Sequence, residues 1–342
     1  MSNVYYSDYL QLDKILNAQK MESDKLSKDA HDEMLFIIVH QAYELWFKQV
    51  LYEVGSVMDI LDEPVNDNSP ALQVVTHRLN RVNEILHLLI HQIDVIETMT
   101  PLDFLDFRDL LRPASGFQSM QFKILEAKLG LKSAERYGKE YYVSQLREED
   151  RKMILELDGQ LTLIEMVENW LCRMPFFKDE SLWANFPASE GDEHPFWALY
   201  RQKYEQSLLE GEVNNLKWFD RLFMGEEKED DRKLSKSGRR SALFIMLFRG
   251  HPVLNLPYQM INHLLVIDEL MATWRYRHMN MVHRMIGHRV GTGGSTGKSY
   301  LKNALDSHYI FSEFAELTSF LVERSLIPEL SAELNLKLGF EQ

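Results

Sequence analysis

A single cysteine, Cys172, among 342 residues excludes an intrachain disulfide framework and a cysteine-based zinc site, and it suits a reducing compartment. Glycine (16) and proline (10) are scarce as well, and long stretches contain neither, which disfavours a turn-rich β architecture and favours helices. There is no long basic run: 38 Lys and Arg face 52 Asp and Glu, for a formal charge of -14. A phosphate backbone would be repelled on average, so nucleic acid is not an expected partner. No stretch has the length of uncharged apolar sequence that a bilayer demands, and MSNVYYSDYL lacks the basic region and apolar core of a secretory signal. The expectation is a soluble, cytoplasmic protein without a membrane partner.

What the chain does contain is helical periodicity, with 45% hydrophobic residues to build a large core. From His31 to Val54 the apolar positions Phe36, Tyr43, Phe47, Val50, Leu51 and Val54 recur at helical spacing, and His40 falls in the same stripe. Ala71 to Thr98 repeats the pattern, with His87 and His91 four apart but lacking a third ligand of matching type, so they read as solvated or bundle-bridging. Thr100-Pro101-Leu102-Asp103 is a helix start, and the helix it opens carries Phe104 and Arg108 on one face. An arginine there either drapes its stem over the ring at the surface or offers a guanidinium to a carboxylate in an aromatic pocket. Pro113 to Gly116 breaks that helix next to Ser115, and Gln118 to Leu129 resumes it. Further helices are expected over Glu149 to Cys172, Phe196 to Leu209, Ser241 to Phe248, Met260 to Trp274 and Asp306 to Leu330. The aromatic start, with Tyr5, Tyr6 and Tyr9, wants a surface to cover, by default its own core and otherwise a neighbouring subunit. No composition shift marks a domain boundary, so residues 1–342 read as one all-α domain, with an N-terminal arm over 1–16 and a less informative helical middle over about 130–240.

The richest stretch is WRYRHMNMVHRMIGHRVGTGGSTGKSY, Trp274 to Tyr300. Its histidines, His278, His283 and His288, lie five apart, and at about 100° per residue each step turns roughly 140°, so they point in three directions and form no chelating cluster. His278 shares its sector with Trp274, Met281, Val282 and Met285, which makes it the interior histidine. Such a residue is either a core histidine satisfied by a hydrogen bond or a single axial ligand to an iron porphyrin. The loop Gly291 to Gly297 fails as a phosphate cradle, because Thr292 stands where the motif needs glycine and a helix precedes it. It is either a helix stop with a long turn or a loop whose N–H groups and hydroxyls close over a small polar ligand.

Four blocks, YSDYLQLDKILNAQ, HDEMLFIIVHQAYELWFKQ, LDFLDFRDLLRPASGFQS and WRYRHMNMVHRMIG followed by GTGGSTG, together closely resemble the tryptophan 2,3-dioxygenases. They fall in that family's order, and only the middle third matches weakly. The resemblance implies an all-helical bundle that binds haem b, assembles as a homotetramer and inserts O2 across the indole C2=C3 bond of L-tryptophan. The product would be N-formyl-L-kynurenine, in the first step of tryptophan catabolism through kynurenine. It implies His278 as the axial iron ligand and His40 as the residue that meets the indole N–H. Arg108 and Thr292 would hold the substrate carboxylate, Phe36 and Phe104 would wall the pocket, and Ser115 would be a polar residue of the haem site. Tyr6 and Tyr9 would enter a neighbouring subunit's site. Two other readings are a haem-dependent hydroxylase of another aromatic amino acid and a non-catalytic haem or tryptophan sensor.

Overall fold

The computed structural model describes residues 3–65, 69–136, 146–187, 193–225, 232–289 and 308–339, and among them every regular element is a helix. In chain order these are α1 (Tyr6–Leu10), α2 (Leu12–Ile15), α3 (Asp32–Asp62), α4 (Pro70–Ile96), α5 (Pro101–Phe107), α6 (Met120–Leu129) and α7 (Glu148–Leu157). There follow α8 (Leu163–Leu171), α9 (Pro195–Ser207), α10 (Val213–Phe223), α11 (Lys236–Leu247), α12 (Pro252–Ile286), α13 (Ser312–Glu316) and α14 (Ala332–Leu338), with short 3-10 turns between them.

Three long helices form the frame. The buried face of α4, Leu72, Val75, Leu79, Val82, Leu86, Leu89 and Ile93, meets α3 on one side and α12 on the other. Polar ties hold the pair α3 and α4 near His40: Tyr43 Oη donates to the Leu89 carbonyl (2.7 Å), and Gln92 Nε2 donates to the Val39 carbonyl (2.8 Å). At the same end of α4, Arg277 of α12, one residue before His278, pairs with Asp94 (2.7 Å) and with Glu97 just past the helix (3.2 Å). A second, smaller apolar cluster, built on Ala30, Met99, Phe107 and Met285, gathers Phe36, Phe104 and Met281. It sits where the start of α3, α5 and the end of α12 converge.

Helix ends follow local chemistry. Thr100 Oγ1 accepts from the Asp103 N–H while the Asp103 carboxylate accepts from the Thr100 N–H, a reciprocal cap that starts α5 on Pro101. The continuous helix expected over Glu149 to Cys172 is two helices, because Thr162 and Glu165 form the same kind of box and start α8 afresh after Gly159. The two apolar runs expected before the histidine stretch extend further: α12 is one helix of 35 residues that carries Pro257 in its second turn and stops at Gly287, whose φ of 59° suits glycine. The tail is not the long helix expected from Asp306 to Leu330. Among described residues it is α13, two 3-10 turns and α14, although Phe311, Phe314, Leu317 and Phe320 are buried as their spacing predicts.

The N-terminal segment overturns its default expectation. Tyr6 and Tyr9 are 72% and 74% exposed, and none of α1 is buried, so the arm does not cover this chain's own core.

Gly130 ends α6 at φ 138°, and a Cβ there would come within 2.4 Å of Ile164 Cγ2 and 3.1 Å of Ile310 Cγ2. Gly130→Ala combines a left-handed backbone cost with overpacking and should cost about 3 kcal/mol. The check is the urea midpoint, which an unstrained site would leave unchanged.

Candidate active site

His278 lies on the inner face of α12, one turn after Trp274, and the two rings stack parallel with centroids 5.3 Å apart. Trp274 is itself wedged by Phe122 of α6 (5.0 Å) and by Tyr43 (6.1 Å) and Phe47 (6.3 Å) of α3, so the ring behind His278 has little freedom. Burial, with the His40 imidazole facing it, pushes the His278 pKa down to about 4. The side chain is therefore neutral at pH 7, the form that ligates a metal. The His283 and His288 rings contact each other (5.6 Å).

His40 comes from α3. Its Nδ1 lies 2.7 Å from the Phe36 carbonyl oxygen, which can only accept, so Nδ1 carries the proton and Nε2 keeps a free lone pair. Burial lowers its pKa too, outweighing the Phe36 carbonyl and Glu44, which act the other way. His278 is half-buried and His40 is exposed, as side chains that line an open cleft are.

The Phe36 ring lies 4.1 Å from that of His40, 5.8 Å from Phe104 and 5.5 Å from Phe107. Phe107 is fully buried, and spacing alone did not single it out. Its signal is being the second aromatic of the run LDFLDF. Arg108 follows at once, where α5 tightens into a 3-10 turn, and its backbone N–H donates to the Phe104 carbonyl. At 4% exposure it is not the draped surface arginine that its spacing also allowed. Asp109 Oδ1 lies 3.9 Å from its Nη1. Ser115 is half-buried and caps the next 3-10 turn by accepting from the Phe117 N–H (3.3 Å), just ahead of the helix that supplies Phe122. Thr292 lies outside the described residues. Tyr6 and Tyr9 are on the exposed arm, which Gln19 ties to Gln41, the residue after His40, at 2.6 Å. His87 and His91 are exposed, as expected.

Among the described residues no three His, Cys, Asp or Glu side chains are grouped to hold a bare metal ion. A metal in this cleft would have one imidazole from these residues and would need its remaining ligands from elsewhere. An iron porphyrin meets that need: the macrocycle brings four nitrogens, and a neutral histidine in apolar surroundings supplies the fifth.

The tryptophan 2,3-dioxygenase family model matches residues 1–321. The chain belongs to that family. Tryptophan 2,3-dioxygenase of Alteromonas mediterranea is 42% identical over 98% of this chain and 97% of its own length. The Danio rerio tryptophan 2,3-dioxygenase B is 40% identical over 97% of this chain and 85% of its own, and the Rattus norvegicus protein is 41% identical over 95% and 84%. As a tryptophan dioxygenase by family the chain is an oxidoreductase with the all-helical fold expected of it, and the hydroxylase and sensor readings are not favoured.

The depressed pKa of His278 has a sign that can be measured. An imidazole that titrates at about 4 when folded and near 6.5 when unfolded adds stability above pH 6.5, and that stability drains as pH falls through 4, because the unfolded chain takes up the proton first. In haem-free protein the urea midpoint should fall from pH 7 to pH 4.5 less steeply for His278→Leu than for the parent. Equal slopes would show that His278 is not held neutral by burial.

Proposed function

We propose that this dioxygenase holds haem b through an imidazole nitrogen of His278 and converts L-tryptophan and O2 to N-formyl-L-kynurenine. The observation that carries the reading is the facing pair of neutral imidazoles, His278 and His40, in one cleft beside a buried arginine and a phenylalanine wall. When bound, the haem supplies the iron chemistry that activates dioxygen; the chain's own residues bind and aim the substrate.

Arg108 offers a planar, two-donor fork to the substrate carboxylate, and its burial makes that pairing stronger than it would be in water. Phe36 and Phe104 give the indole apolar walls and exclude water from it. The Nε2 lone pair of His40 accepts from the indole N–H and so fixes which edge of the ring turns toward the metal. His40 orients without having to remove a proton, in keeping with a lowered pKa and a lone pair already free. Both oxygen atoms of O2 end in the product as the C2=C3 bond is cleaved, one as the ketone and one as the formyl oxygen. Thr292 contributes a hydroxyl to the carboxylate end, and Ser115 a polar contact to the haem.

The exposed tyrosines support a homotetramer in which the arm of one subunit, residues 1–16 with Tyr6 and Tyr9, reaches a neighbour's site, while residues 1–342 form one catalytic domain. No helix of the described residues is long and apolar enough to cross a membrane, and the single cysteine supports a cytoplasmic setting.

Arg108→Lys keeps the charge and loses the fork, so the apparent KM for L-tryptophan should rise at least tenfold with a smaller change in kcat. Steady-state kinetics on hemin-loaded protein checks this, and an unchanged KM would remove Arg108 from the carboxylate site. Deleting residues 1–10 should impair assembly and activity together, read by light scattering and turnover; a fully active tetramer would refute the role given to the arm.

A further inference from the structure

No residue of α1 or α2 is buried, yet the chain that joins them to α3 is fastened at several points. Glu33, in the first turn of α3, is fully buried, and its carboxylate accepts from two successive main-chain N–H groups of that connector, Glu22 at Oε1 (2.7 Å) and Ser23 at Oε2 (3.0 Å). Ser23 is fully buried too. Two turns further along α3, Gln41 Oε1 accepts from Gln19 Nε2 (2.6 Å), and Gln41 Nε2 donates to the Ala18 carbonyl (3.4 Å). Beyond Ser23, Lys28 Nζ donates to the Asp106 carbonyl of α5, and Ala30 is buried in the small apolar cluster with Phe36 and Phe104.

From Glu33 to Gln41 the helix rises about 12 Å, and the chain from Gln19 to Ser23 spans about 13 Å when extended. The connector, which has no helix over residues 18–21, is therefore drawn out along α3 between its two ties. The part of α3 that they bracket carries Phe36 and His40. The arm thus leaves its subunit from beside that subunit's own cleft, in a direction that Glu33 and Gln41 fix. A need only to cap a turn would be met by one neutral acceptor, at lower desolvation cost than a buried carboxylate. Two oxygens on two successive N–H groups set the orientation of the peptide as well as its position.

We propose that Glu33 is a positioning residue that acts in trans: by fastening Glu22 and Ser23 it aims the arm of its own subunit, and with it Tyr6 and Tyr9, at the site of a neighbouring subunit. The inference rests on the reading of the arm given above. Action in cis, through Ala30 and Phe36 on the cleft of the same chain, is the competing outcome, and mixed assemblies separate the two.

The test is co-expression of two differently tagged full-length chains, purification of the assemblies that carry both tags, loading with hemin and assay of L-tryptophan turnover. Alone, Glu33→Gln should lower kcat/KM by about tenfold or more, because the amide keeps one acceptor and turns its own N–H groups toward the other main-chain donor. Paired with His278→Ala, which keeps its arm and lacks the axial imidazole, it should recover about a quarter of the parent's turnover per subunit, since half of the subunits keep a haem site and half of their neighbours a fastened arm. Action in cis would give no recovery, because every intact haem site would then lie in a chain without the carboxylate. Ser23→Pro removes one of the two donors at a φ of -61°, which proline adopts, and takes the place of Glu33→Gln if that variant does not fold. Parent-like turnover of the variant alone, or no recovery in the pair, would overturn the proposal. The double variant Tyr6→Ala, Tyr9→Ala paired with His278→Ala reports on the arm itself. Recovery there but not with Glu33→Gln would refute this inference alone; recovery in neither pair would refute the reading of the arm, and this inference with it.

Discussion

An imidazole can ligate a metal only while it is neutral, and the surroundings of His278 hold it in that state. The ring is enclosed by protein, stacked on Trp274 and opposed by a second imidazole, and together these disfavour its protonation. Enclosure of this kind requires rigidity, because a helix free to rotate by one residue would carry His278 about 100° away from the cleft. The rigidity comes from α4, which α12 packs along, from the pairing of Arg277 with Asp94 and Glu97, and from the Trp274 wedge. Each lies within about one turn of His278 or braces the helix that carries it.

The parts of the cleft come from segments far apart in the chain: His278 from α12, His40 from α3 and Arg108 from the end of α5. The small apolar cluster of Phe36, Phe104, Phe107, Met281 and Met285 is what unites them, since it draws on all three elements. A site assembled in this way exists only in the folded state, so a ligand that binds it stabilises the whole fold by mass action. The arm is the exception. Among the described residues its tyrosines are exposed, a surface that a neighbouring subunit would cover in the tetramer proposed above.

Much of this arrangement is legible in the sequence because it is periodic. A wheel drawn from Trp274 to Met285 selects His278 over His283 and His288, and the stripe from Phe36 to Tyr43 turns His40 inward; the structure packs His278 on Trp274, and it sets His40 against Phe36 but leaves it exposed. Helix type and rough position are equally readable for α3, α4, α5 and α9. What escapes periodicity is local or tertiary. The break between α7 and α8 depends on a capping box within an otherwise helical pattern, and the tail buries its phenylalanines from turns rather than from one helix. Arg108 could not be assigned to surface or interior from spacing, because a long basic side chain fits either. The buried cluster in which Glu126 pairs with Arg136 (2.6 Å) and Arg275 (2.7 Å) reads as ordinary solvated residues by type. Its trace was there in position, since Glu126 shares a face with Phe122 and Leu129, and Asp268 and Arg275 interrupt the apolar stripe of Ile261, Leu264 and Met271.

The central claim is that this cleft joins both atoms of dioxygen to tryptophan. The most direct measurement is the mass of the product formed when hemin-loaded, reduced protein turns over L-tryptophan under isotopically labelled 18O2. The account predicts a ring-opened product carrying two labelled oxygen atoms. A product with a single labelled atom, or tryptophan returned unchanged, would contradict it.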